Sequence, residues 1–155
     1  YYQELAVAGI THIMFGDIFL EDLKDFREQL LKPTSTIGIY PLWNENTTLL
    51  VSEFLDAGFR TRLCAVDAKY IEEEYVGSYL TKGFLSKHTS IDACGENGEY
   101  HSLVVSGPIF AKPLQLICGD TYEQEFVFNV RDEKGGQKII RDTFYFADFE
   151  LKSNN

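Results

Sequence analysis

The sequence predicts an α/β fold that passes into α+β: a parallel sheet with crossover helices over residues 1–67, then a smaller α+β domain with antiparallel strands over residues 68–155. Three observations predict it. Strand-like and helix-like patterns alternate as far as Val66. Beyond residue 100 the apolar period shifts to two. A chain of 155 residues, 45% hydrophobic and 25% charged, is also long and apolar enough to bury a core.

Taken in order, residues 2–8 read as the last turns of a helix, stopped by Gly9. Thr11 to Phe15 is a short apolar strand running into Gly16-Asp17-Ile18. Residues 19–32 place Leu20, Leu23, Phe26, Leu30 and Leu31 near helical spacing. Glu21 and Asp22 sit where the positive end of a helix dipole favours acids, and Lys32 precedes the breaker Pro33. Ile37 to Leu42 is a second strand; Asn46 or Thr47 can cap a helix running to Ala57, which Gly58 closes. Arg62 to Val66 is a third strand. Strand, helix and strand in so short a span imply a right-handed crossover and parallel strands. Ligands of such sheets collect at the carboxyl ends of the strands, which here carry Gly16-Asp17, Pro41-Leu42-Trp43 and Asp67.

Residues 70–90 are patterned more weakly. Glu72-Glu73-Glu74 reads as a solvated helix face rather than a cation site, and Phe84 and Leu85 suggest a short helix. Leu103-Val104-Val105 is a buried strand. Phe126, Phe128 and Val130 alternate with polar neighbours, residues 132–136 form a turn, and residues 138–151 return as one or two aromatic-rich strands.

Composition narrows the function classes. A formal charge of -10, with the fourteen basic residues scattered, repels a phosphate backbone, so nucleic acid is not the expected partner. No apolar run reaches the ~18 residues of a membrane span, and the opening residues carry no signal-type segment; a cytoplasmic protein without a membrane partner is expected. Cys64, Cys94 and Cys118 are odd in number and form no CxxC pair, which suits a reducing compartment and argues against a zinc site; no metal ligands are assigned.

The densest chemistry is at Ala93-Cys94-Gly95-Glu96-Asn97-Gly98-Glu99-Tyr100-His101-Ser102. Two glycines free the backbone to turn, and around them stand two carboxylates, an amide, a phenol, an imidazole and a hydroxyl. The strand that follows would hold this loop on a rigid element, as sites commonly require.

These residues also carry a resemblance. Phe-Gly-Asp-Ile-Phe-Leu-Glu-Asp-Leu at 15–23, Tyr-Pro-Leu-Trp at 40–43, Gly58-Phe59, Cys-Gly-Glu-Asn-Gly-Glu-Tyr-His-Ser at 94–102 and Gly-Pro-Ile-Phe at 107–110 fall in one order over residues 9–112. Together they resemble the diphthine-ammonia ligase family, PP-loop ATPases of the adenine nucleotide alpha hydrolase superfamily. The resemblance implies the end of a Rossmann-like (HUP-type) sheet over 1–67 and a substrate-binding domain over 68–155. It further implies adenylation of a carboxylate by ATP with Mg2+, then attack by ammonia to form an amide; the substrate in such enzymes includes diphthine on elongation factor 2. Position 93 is alanine where relatives commonly show proline, and Tyr100 and Ser102 stand for phenylalanine and threonine.

One departure is larger. No Ser-Gly-Gly-Lys-Asp-Ser loop occurs in the sequence, and phosphate binding needs a run of backbone N–H groups at a helix N-terminus with a lysine nearby. ATP and Mg2+ are therefore expected to need an upstream segment, with which the chain would pair unless it forms a homo-oligomer. The alternative is a non-catalytic nucleotide- or ligand-binding module that has lost the ATPase loop.

By role, Glu96 or Glu99 could take a proton from ammonium or orient ammonia. Asn97 could grip an amide or carboxyl group without adding charge, and His101 could carry a proton near neutral pH. Gly16, Asp17, Gly95 and Gly98 are the expected nucleotide contacts. Asp17 has a competing reading as the cap of the following helix, Trp43 is either an aromatic anchor or an adenine stacker, and His12 and His88 are expected to be structural.

Overall fold

The computed structural model describes residues 1–131 and 137–152, and its contacts separate the chain into two units, Tyr1–Leu50 and Val51–Asn155. In the first, the short apolar runs pair as the sequence predicts. Strands β1 (His12–Met14) and β2 (Ile37–Ile39) lie parallel, with His12 opposite Ile37 and Met14 opposite Ile39. Helix α1 (Tyr2–Val7) precedes them and α2 (Glu21–Leu31) makes the crossover. Glu21 and Asp22 occupy the first turn of α2, where acids oppose the dipole. The helix buries Leu31, and Phe15 and Ile18 of the same unit are buried as well. It lies so close to β2 that a Cβ on Gly38 would stand 2.7 Å from Glu28 Oε1 and 3.2 Å from Leu31 Cδ1.

Helix α3 (Thr47–Asp56) starts where the capping residues predict: Asn46 Oδ1 accepts from the Leu49 N–H at 3.0 Å. Gly58, at φ 88°, ends the turn that follows. The strand after it departs from expectation. β3 (Arg60–Asp67) does not join β1 and β2; it is antiparallel to two later strands. The crossover rule fixes handedness only for strands that share a sheet, and local pattern does not say which sheet a strand enters.

The second unit is a four-stranded antiparallel sheet in the order β4-β3-β6-β5, with β4 (Tyr100–Ser106), β5 (Leu116–Arg131) and β6 (Gln137–Leu151). β5 pairs with β6 from Leu116 opposite Leu151 to Arg131 opposite Gln137, so the residues expected as one or two strands form one. The turn expected at 132–136 lies outside the described residues.

Alternation sorts β6 by face. Tyr145, Ala147 and Phe149 meet a core of Val51, Leu63, Val66, Ile71, Val76, Leu80, Phe84 and Tyr100. Phe144 and Phe146 turn to the opposite face, where Phe126 packs edge-on to both at 5.9 and 6.2 Å and Tyr122 stacks on Phe146 at 5.4 Å. Leu63 and Val66 are fully buried, and removing such a side chain from water stabilises the fold by roughly 1.5–3 kcal/mol each.

The weakly patterned stretch folds as a 3-10 turn (Glu73–Tyr75) and the short helix α4 (Lys82–Lys87), whose Thr81 side chain accepts from the Phe84 N–H at 3.1 Å. Glu72 is not simply solvated. Its carboxylate lies 3.0 Å from Nε2 of buried His88, whose Nδ1 lies 2.9 Å from the Phe84 carbonyl. That bond holds the Glu72 carboxyl well below its usual range, at about 2. His88 is thus structural, as expected.

Candidate functional site

The polar loop is built by two carboxylates and two glycines. Asp92 Oδ2 accepts from the backbone N–H of Cys94 and of Glu96, both at 3.0 Å. The Gly95 N–H donates to the Asp92 carbonyl at 3.0 Å, closing a turn. Gly95 has φ 71°, and a Cβ there would stand 2.9 Å from the Tyr100 carbonyl oxygen. Its glycine is required twice, by conformation and by close approach. Gly98, at φ 89°, is required by conformation alone, since nothing lies near its missing Cβ.

Glu99 closes the loop from the other side. Its carboxylate is 5% exposed and accepts three hydrogen bonds: Asp92 N–H to Oε1 at 2.9 Å, Asn97 N–H to Oε2 at 3.1 Å, and Asn97 Nδ2 to Oε1 at 3.1 Å. Its backbone carbonyl accepts from the Asp67 N–H at 2.9 Å, so the end of β3 holds the start of β4. The Tyr100 hydroxyl donates to the Ala93 carbonyl at 2.6 Å.

Electrostatics follow from the burial and from these acids. Cys94 is pushed up to about 11, chiefly by burial and then by the negative charges of Asp92 and Glu96. Burial likewise raises the Tyr100 hydroxyl above its ordinary value. Neither group is set up as an anionic nucleophile at neutral pH.

Of the expected site residues, Glu96, Asn97, Glu99, Gly95 and Gly98 share this loop. His101 is exposed and stands one residue into β4, opposite Ala65. Strand alternation sends it to the face opposite Tyr100, and it is exposed where Glu99 is buried. Gly16 and Asp17 belong to the first unit, where Gly16 is exposed and follows β1 and Phe15. Asp17 is buried and held by Arg27, with Nε at 2.6 Å and Nη2 at 3.0 Å. This fork bond raises the Arg27 pKa. Asp17 does not cap α2, whose N-cap position is Leu20.

Near the same strand ends Tyr40 stacks on Phe15 at 5.3 Å, and Lys24 Nζ lies 4.1 Å from the Trp43 ring centre. Burial and the Glu28 carboxylate push the Tyr40 hydroxyl up to about 12. Asp92 is the loop residue that the reading by residue type passed over. Asp at the first and Gly at the fourth place of Asp92-Ala93-Cys94-Gly95 is the signature of a type I turn, and would have found it.

A parallel pair with its crossover helix in one unit, and in the other an antiparallel sheet whose strand β4 follows a carboxylate-braced polar loop, define a mixed α/β protein. The family model of the diphthamide synthase C-terminal domain matches residues 46–138, more than half of the chain and the whole of the loop. The chain belongs to the diphthamide synthase C-terminal domain family, as the resemblance of its motifs implied, and its sequence carries no Ser-Gly-Gly-Lys-Asp-Ser loop. No curated protein matches it. Among the described residues no helix is long and apolar enough to cross a membrane.

Proposed function

We propose that this chain is the substrate-side portion of an ATP-dependent amide-forming ligase, in which a carboxylate is adenylated and then attacked by ammonia. The observation that carries this reading is the loop at 92–99. It lies within the family match, and its internal bonds hold an exposed asparagine in a fixed place. Asn97 meets the carbonyl or the amine of the reacting pair, and Glu96 is the neighbouring acid. Diphthine on elongation factor 2 is the substrate the family name points to, and the cytoplasm is where such a factor is met.

ATP and Mg2+ do not fit the described residues. No group of three or more His, Cys, Asp or Glu is placed to hold a metal ion among them, and among them no glycine-rich loop with a lysine opens a helix. Both belong to a nucleotide-binding segment outside residues 1–155, for which β1 and β2 would be the end of a Rossmann-like sheet.

Calorimetry with Mg-ATP, on residues 1–155 and on a chain extended upstream, tests the reading. Binding by the extended chain is expected, and binding by neither sinks it in favour of a module without the chemistry. In the extended enzyme Asn97→Ala is expected to lower ammonia-dependent AMP formation by about 10²-fold or more, the scale of a lost positioned polar contact. Unaltered turnover removes the loop from the mechanism.

A further inference from the structure

The loop contains an orientation that the residue types alone leave open. An asparagine side chain is a donor on one branch and an acceptor on the other, and which branch faces a ligand decides what the ligand must be. Here the choice is made by Glu99. Its two oxygens already accept the backbone N–H groups of Asp92 and Asn97, so the side-chain branch 3.1 Å from Oε1 must be the donor, Nδ2. A carbonyl oxygen in that place would set two acceptors against each other. Because the amide is planar, committing Nδ2 to Glu99 turns Oδ1 the other way. Glu99 itself is 5% exposed and its oxygens are occupied by N–H groups, which leaves it poorly placed to take a proton from a ligand.

We propose that Glu99 is a positioning residue rather than a base: it fixes the Asn97 amide with its carbonyl oxygen outward, so that this point of the loop takes a small N–H donor of the ammonia class. This rests on the ligase reading for the identity of the donor, but the orientation does not. Asp92 supports it from the far side, since its bonds to the Cys94 and Glu96 N–H groups hold the turn in which Asn97 sits.

The test uses the isotopically labelled chain of residues 1–155 and nuclear magnetic resonance. The Asn97 side-chain amide is assigned by its disappearance in Asn97→Asp. One of its two protons is expected to exchange with water about threefold or more slowly than those of the exposed Gln29 and Gln124, because it is hydrogen-bonded. Exchange at the rate of those glutamines overturns the orientation. In Glu99→Leu, which removes both acceptor oxygens at similar volume, that protection is expected to be lost in the folded chain; its persistence overturns Glu99 as the cause.

The second measurement is a titration with ammonium chloride against tetramethylammonium chloride, which carries charge but no N–H. Only ammonium is expected to move the Asn97 carbonyl carbon. Its half-point should rise about tenfold in Glu99→Leu, the effect of one lost hydrogen bond. An equal response to both salts, or none to either, overturns the ammonia assignment. Because neither measurement uses ATP, a chain that passes both and shows no Mg-ATP binding even when extended upstream contradicts the ligase reading alone.

Discussion

At the scale of single residues, the loop's acids act on what surrounds them more than on solvent. Cys94 is the clearest case. Its thiol ordinarily ionises near 9.0, and burial together with Asp92 and Glu96 raises this to about 11. A raised pKa means that the folded state favours the neutral thiol. The stabilisation it contributes is therefore fully present below about pH 9 and is lost as the pH rises through 11. Cys118, by contrast, is exposed on β5. At pH 8.5 iodoacetamide is expected to modify Cys118 first, with Cys94 reacting only as the solution approaches pH 11; mass spectrometry of the tryptic peptides reads the order. Equal labelling of the two at pH 8.5 contradicts the environment described for Cys94. The same neighbourhood explains two departures from the related motif. The hydroxyl that Tyr100 has and phenylalanine lacks donates to the Ala93 carbonyl, tying down a loop entry that proline would otherwise stiffen.

At the scale of elements, conformation and spacing decide the cost of change. Gly95→Ala meets both a positive φ and the Tyr100 carbonyl oxygen at 2.9 Å, whereas Gly98→Ala meets only the positive φ. Gly95→Ala is expected to destabilise by roughly 2–4 kcal/mol and Gly98→Ala by about 1–2 kcal/mol, measured by urea unfolding; a larger loss at Gly98 would contradict the packing at Gly95. Elements whose cause is local were legible in the sequence: the acids and apolar spacing of α2, the Asn46 cap of α3, and the short helix around Phe84. The partners of β3 were not, because an apolar run such as Leu63 to Val66 looks the same in a parallel and an antiparallel sheet. The full length of β5 also escaped. Residues 116–125 place Gly119, Asp120, Glu123 and Glu125 along an edge strand where they meet water on one side, so the alternation that marks Phe126 to Val130 is blurred there. Of the site, the glycine turn and its acids were visible as residue types. The inward turn of Glu99 was not, since a buried carboxylate differs from an exposed one only in the N–H groups that the fold aims at it.

At the scale of the whole molecule, charge and exposed apolar surface oppose each other. The chain carries a formal -10 at pH 7, a charge by which copies repel one another. The second unit nevertheless shows water an appreciable part of its aromatic and branched surface: Ile117 is 52% exposed, Val127 50%, Phe128 47% and Ile139 60%, on a long edge strand and its neighbour. Such a surface stays dispersed only while repulsion holds. As the pH falls toward the sequence pI near 4.7 the repulsion vanishes, while the apolar area is unchanged. Light scattering across pH 4 to 8 is therefore expected to peak within about half a unit of 4.7 and to fall again above about pH 6. Added salt should matter away from that peak and little at it. At pH 7, raising the ionic strength shortens the Debye length to about 8 Å near 0.15 M and so brings copies closer, while near the pI there is no net repulsion left to screen. A scattering curve that is flat from pH 4 to 8 would mean that the exposed strand face does not drive association, and that its apolar residues are held apart by the twist and side-chain charges of the edge rather than by the net charge of the molecule.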